Sequence, residues 1–242
     1  MTDSTPVTPP QQRVRIARRH AYRPHQTDPM TTFMPTSTTC TATTMCTATG
    51  AMVDLRQFTR VDISLLDIAH ALACINRFTG HAARPYSVAE HSLLVERLML
   101  SEFGVTQPKA RLAALLHDAH EAYIGDISTP IKHLVGWALT DREHALQHVM
   151  LARFDVWETT AAWASVIKRC DLVALATEKR DLMPAGGADW PILTGVHPAA
   201  DVRLREQDGM TWQDWRQAYI DRFSELYAAV HGPDTFTEAG AA

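Results

Sequence analysis

The chain reads as an all-α protein, a compact bundle of roughly six to eight helices. Three observations predict it: apolar residues recur at helical spacing from about Asp54 onward, named start and stop signals punctuate them, and no strand-like alternation is long enough to build a sheet. Ser64 or Asp67 opens a helix through Ile68, Leu72 and Ile75, and Gly80 with Pro85 marks the loop after it. Ser87 and Glu90 form a capping box ahead of Leu93, Leu94 and Val95. Pro108 stands where a first-turn proline belongs, starting a helix that carries Leu112, Leu115 and Leu116 and runs to Gly125. Thr140 with Glu143 reads as another capping box, and a long helix is expected from Thr159 to Met183, stopped by Pro184 and the Gly186-Gly187 pair. Residues 184–210 read as an irregular connection. Thr211 and Asp214 start a last helix with Trp212, Trp215, Tyr219, Phe223 and Leu226 on one stripe, as core.

Composition divides the chain before any motif does. Residues 1–50 hold 14 threonines, ten of them within 31–50, where Lys and Arg are absent and aliphatic side chains are scarce. Such a stretch lacks the apolar surface to fold and reads as a disordered extension. The folded domain is expected over residues 51–235, with a flexible end at 236–242. Residues 1–30 carry five arginines against two aspartates, so with a total of −4 the rest carries −7. An acidic body argues against a broad nucleic-acid surface. The basic run from Arg13 to Arg23 fits an upstream extension, with a nucleic-acid arm or organellar presequence as alternatives. No apolar run approaches the ~18 residues needed to span a bilayer, so no membrane partner and a cytoplasmic location are expected. Cys40, Cys46, Cys74 and Cys170 form no CxxC pair, which speaks against a disulfide framework or a cysteine zinc site.

The chemistry concentrates in residues 117–132, HDAHEAYIGDISTPIK. His117 and Asp118 are adjacent in an apolar helical pattern, where a charged carboxylate is costly unless something pairs with it. A divalent cation is one such partner. Adjacent helical positions differ by about 100° in direction, yet both side chains can reach an ion over the groove between them. Glu121 projects from the same face one turn on. His91 in VAEHS and Asp171 in IKRCDLVALATEK have the same burial problem on other helices. Imidazole and carboxylate together suit one divalent transition metal, manganese, cobalt, iron or zinc, with magnesium also possible, rather than calcium.

A histidine, a His-Asp pair 26 residues on and an aspartate 53 residues further give the order H…HD…D. With INRFTGH before it, this pattern resembles the HD-domain phosphohydrolase superfamily, and within it the single-metal 5′-deoxynucleotidases and related small phage and bacterial nucleotide phosphohydrolases. The matching blocks span roughly residues 60–183. The resemblance implies that His91, His117, Asp118 and Asp171 hold the metal, that Glu121 orients or activates the attacking water, and that Asp126 helps protonate the leaving oxygen. It implies that Arg77 grips phosphate and Lys132 adds positive charge nearby. Phe78, Thr79, Gly80 and His81 could line a nucleobase pocket, and a homodimer is expected. The implied reaction is phosphate release from (deoxy)nucleoside 5′-monophosphates. A dNTP triphosphohydrolase or stepwise dNTP phosphatase is the alternative, and a non-catalytic nucleotide binder lies behind both. The demands of the reaction agree: a phosphate monoester dianion repels hydroxide, so charge must be neutralised, a water aligned and a proton delivered to the departing oxygen. His144 and His148, at i and i+4, raise a second-metal possibility, against which stands their polar surroundings TDREHALQH.

Overall fold

The computed structural model describes residues 40–185 and 187–233. The expected extension over 1–39 and the C-terminal end at 236–242 lie outside the described residues. The expectation of a disordered segment through residue 50 is corrected over residues 40–50. Strands β1 (Thr44–Cys46) and β2 (Met52–Asp54) form an antiparallel hairpin, pairing Thr44 with Asp54, Met45 with Val53 and Cys46 with Met52. Two apolar side chains anchor it, Val53 buried and Met45 packed on the core. The threonines do the rest by hydrogen bonding: Thr43 Oγ1 donates to Asp54 (2.6 Å), and the Thr49 N–H and hydroxyl donate to the buried Asp67 carboxylate (2.7 and 2.9 Å). β-Branched threonine suits a short strand when neighbours supply the burial it lacks.

The body is helical, as its patterning predicts, with nine α-helices among the described residues. They are α1 (Leu65–Cys74), α2 (Val88–Ser101), α3 (Pro108–Leu115), α4 (Glu121–Ile124), α5 (Thr129–Val135), α6 (Trp137–Arg153), α7 (Trp157–Ala162), α8 (Ala164–Leu182) and α9 (Trp212–His231). The number exceeds expectation because predicted helices are broken. The helix from Pro108 ends at Leu115, and residues 116–120 turn by i→i+3 bonds, with the Ala119 N–H donating to Leu116 O at 3.1 Å, before α4 begins. Tighter winding re-aims the side chains that follow. Gly125, at φ 81°, then stops α4 as expected. Trp163, packed against the core, divides α7 from α8.

Ser64 is the N-cap of α1, accepting from the Asp67 N–H, and the boxes of Ser87 with Glu90 and Thr211 with Asp214 are both formed. The Thr140–Glu143 box is not. Gly136, at φ 84°, ends α5 and opens α6, which leaves Thr140 inside the helix and frees Glu143 to pair with Lys132 at 2.9 Å.

The core lies where α1, α2, α3, α8 and α9 meet. Trp215, Tyr219, Phe223 and Leu226 of α9 are buried there, whereas Trp212 stands partly exposed at the start of the helix, edge-on to His70. Buried Glu96 of α2 ties two neighbours by accepting from Arg111 of α3 and Arg222 of α9, each at 2.6 Å. Residues 187–210 form two 3-10 turns in an otherwise irregular path. Arg180 fastens this connection to α8 through Ala199 O and Val202 O, and Asp181 accepts from the Leu204 N–H. Among the described residues no helix is long and apolar enough to cross a membrane.

Candidate metal centre

His91 occupies the first turn of α2, a turn fixed by its own capping box: Ser87 Oγ accepts from the Glu90 N–H (3.2 Å) while Glu90 Oε1 accepts from the Ser87 N–H (3.1 Å). The ring of His91 is fully buried. His117 and Asp118 come from the turn between α3 and α4, not from mid-helix as the sequence suggests, and the His117 ring centroid lies 5.2 Å from that of His91. Asp118 Oδ2 sits 3.1 Å from His117 Nε2 and 3.5 Å from His91 Nε2. The ligand atoms of His91, His117 and Asp118 all lie within 4.8 Å of one another. Asp171 of α8 borders this group, its Oδ1 3.4 Å from His91 Nε2 and its Oδ2 accepting from Lys168 at 2.7 Å.

A residue the sequence reading missed organises the group from behind. Glu178 lies seven positions after Asp171, two turns along the same face of α8. It is fully buried; its Oε1 accepts from His91 Nδ1 (2.6 Å) and from the Tyr86 hydroxyl (3.0 Å), and its Oε2 accepts from Arg77 Nη2 (3.3 Å). Arg77 also reaches Asp118, at 3.8 Å. Glu178 therefore joins a candidate ligand to the candidate phosphate grip. The i, i+7 spacing from Asp171 was the available signal, but a Glu in a polar ATEK run reads as surface until Tyr86 and His91 are seen to cover it.

The donor set fits a cation. His117 Nδ1–H donates to Ala114 O at 2.8 Å and His91 Nδ1–H to Glu178 at 2.6 Å, so in the neutral rings both Nε2 atoms are the lone-pair nitrogens that a cation would take in place of a proton. Both Nε2 atoms are buried without a hydrogen-bond partner and face Asp118. The surrounding field has the same sign preference. Burial and Arg77 push the His91 imidazolium down, yet the Glu178 carboxylate and the Asp171 carboxylate 3.4 Å away outweigh them and hold its pKa up to about 9. Burial opposes the charge on Asp118, but His117, His91 and Arg77 keep its carboxyl well below the usual range. A pocket that favours positive charge at Nε2 is one a metal ion can occupy.

The two proposed acid–base residues lie beside this group with their pKa values moved upward. Glu121 opens α4 and is buried, and burial together with the nearby Asp118 and Asp126 carboxylates raises it well above its ordinary range. Its Oε2 has no hydrogen-bond partner. Asp126, half-buried after Gly125, is raised by burial and by Asp118, against the pull of Arg77. Lys132 of α5 is spoken for by Glu143, although Glu121 and Asp118 also help hold its ammonium charged against burial. His81 is exposed and caps the Arg77–Gly80 turn. His144 and His148 are exposed on α6, the latter edge-on to Trp157 at 4.5 Å, and neither joins the metal-ligating group.

Protein YfdR of Escherichia coli, itself uncharacterized, is 37% identical over 141 residues, which cover 58% of this chain and 72% of that protein. The chain belongs to the YfdR family. An uncharacterized Rhodobacter capsulatus protein is similar to the same degree, 38% identical over 136 residues that span 55% of this chain and 69% of its own length. No family model matches the chain.

Proposed function

We propose that the chain is a cytoplasmic, divalent-metal-dependent phosphohydrolase of the HD-domain type that releases phosphate from (deoxy)nucleoside 5′-monophosphates. One observation carries the reading: two buried, unpartnered histidine Nε2 atoms converge on Asp118 beside Arg77, with two carboxyls of raised pKa at the rim. A purely structural cluster has no need of unsatisfied buried acceptors. His91, His117 and Asp118, with Asp171 next to them, would hold the ion, which when bound supplies Lewis-acid charge that acidifies water and draws electron density from phosphoryl oxygens.

The chain's own side chains account for the remaining requirements. Arg77, clamped by Glu178 and close to Asp118, presents a rigid guanidinium to two phosphoryl oxygens, a fork that a lysine could not reproduce. Glu121 Oε2, the oxygen left without a partner, orients the attacking water and receives its proton. Asp126, which burial keeps protonated to higher pH, delivers a proton to the departing ribose oxygen.

The test is a hydrolysis panel with metal-stripped protein reloaded with manganese, cobalt, magnesium or zinc, offered deoxy- and ribonucleoside mono- and triphosphates with the products resolved. Orthophosphate from monophosphates, lost in His117→Ala, is the expected result. Triphosphate released from dNTPs alone, or no turnover with any metal, would overturn it.

A further inference from the structure

Beyond the ligand group, a cavity of about 680 Å³ opens between the outer face of α8 and the connection that follows it, lined by Ala176, Lys179, Met183, Trp190, Leu193 and Arg205 among others. This is the size range of small-molecule sites, and the lining mixes apolar side chains and one large aromatic with the cations Lys179, Arg180 and Arg205 and the Asp189 carboxylate, which lies 3.6 Å from the Lys179 ammonium. The walls are held in place. Arg205 Nε donates to Asp181 O (2.8 Å), and Arg180, at the same wall, is bound to Asp181 and to carbonyls of the connection. Trp190 is held by two contacts, with the Lys179 ammonium 5.5 Å from its ring centroid and the Phe78 ring tilted against it at 6.0 Å.

Phe78 links this cavity to the candidate metal centre. It follows Arg77 directly, and the Arg77 guanidinium lies 5.5 Å from its ring. Phe78 and Thr79 both adopt left-handed backbone conformations, at φ 56° and 53°, which non-glycine residues take up only under constraint. That turn aims Arg77 at Asp118 and Phe78 at Trp190. The phosphate grip and the cavity wall are thus separated by one aromatic ring, a span that a nucleoside attached to a gripped phosphate can bridge.

We infer that this cavity is the nucleobase subsite, with Trp190 as the stacking platform and Lys179 and Arg205 facing the carbonyl and ring-nitrogen acceptors of the base. That the bound base belongs to the substrate rests on the phosphohydrolase reading. The base binding itself does not. Every base has a π face and at least one hydrogen-bond acceptor, so an aromatic wall flanked by cations suits an electron-rich heterocycle better than an aliphatic or cationic ligand.

Two measurements test it. The first is calorimetric titration of the full chain with adenosine, guanosine, cytidine and thymidine, which need no catalysis. At least one should bind saturably, about fivefold or more weaker in Trp190→Ala and nearly unchanged in Trp190→Phe, since losing a base–aromatic stack costs at least that factor. The second compares kinetics on the metal-loaded protein. Trp190→Ala should raise KM for the matching nucleoside monophosphate by a similar factor with kcat within about twofold, and leave ribose 5-phosphate, which lacks a base, unaffected. Nucleoside binding that is absent in the wild type, or equal in Trp190→Ala, overturns the subsite. Binding that depends on Trp190 with no phosphate released from any ester supports the subsite and sinks the phosphohydrolase reading instead. Trp190 sits half-buried in a connection outside the helices, and matching thermal melts of the variants keep a folding defect distinguishable.

Discussion

The two ring nitrogens of His91 are divided between partners, Nδ1 bonded to Glu178 and Nε2 turned toward Asp118 and Asp171. A carboxylate behind a ligating histidine fixes its tautomer and raises its basicity. Glu178→Gln, nearly the same shape, should therefore weaken metal affinity about tenfold to a hundredfold, read by competition with a chelating dye. Unchanged affinity would mean that Glu178 only fills space. Asp126 makes a separate prediction. Its carboxyl pKa is raised by burial, so the proton persists to higher pH than in an exposed aspartate. A rate that uses that proton is level below the raised pKa and falls as pH climbs through it. Asp126→Asn should slow kcat by about 10²–10⁴-fold and remove that fall, whereas a variant matching wild type at every pH would eliminate Asp126 as the acid. His91, His117, Asp118 and Asp171 stand out in the sequence because each interrupts an apolar run, while Glu178 does not, since its burial is supplied by Tyr86 and Arg77 from about a hundred residues away.

Capping is local chemistry, which is why the elements that begin with a capping box were legible where nothing upstream interfered. Ser87 both starts α2 and sets the first turn that carries His91. Ser87→Ala should cost about 1 kcal/mol, a fall of about 2–4 °C in Tm for a domain of this size. A melt unchanged within error would show the cap to be dispensable. The same reasoning from Thr140 and Glu143 gave the wrong boundary, because Gly136 breaks the chain first and its positive φ decides where α6 begins. The break after Leu115 was also invisible, because LAALLHDAHEAY carries good helix formers throughout. Helical periodicity reports which residues are apolar, not whether an i→i+4 bond yields to an i→i+3 bond at one turn.

At the scale of the whole molecule, the candidate ligands join α2, the turn between α3 and α4, and α8, so an ion held there would bind the folded chain and not the unfolded one. Mass action then stabilises the fold by about 2.7 kcal/mol at a hundredfold excess over Kd. Added manganese or cobalt should raise Tm in wild type and not in His117→Ala or Asp118→Ala, and melts that ignore metal in all three would argue against the site. The sequence by itself determined the helical class, the caps of α2 and α9, and the residue types suited to a metal, because periodicity, capping and the cost of burying charge act within a few residues. Only the tertiary structure decided that a threonine-rich stretch folds as a hairpin on Asp67, that His117 and Asp118 sit in a turn, that Glu178 backs His91, and that Phe78 meets Trp190. Each of these depends on burial supplied by residues distant in the chain, and no local pattern encodes that.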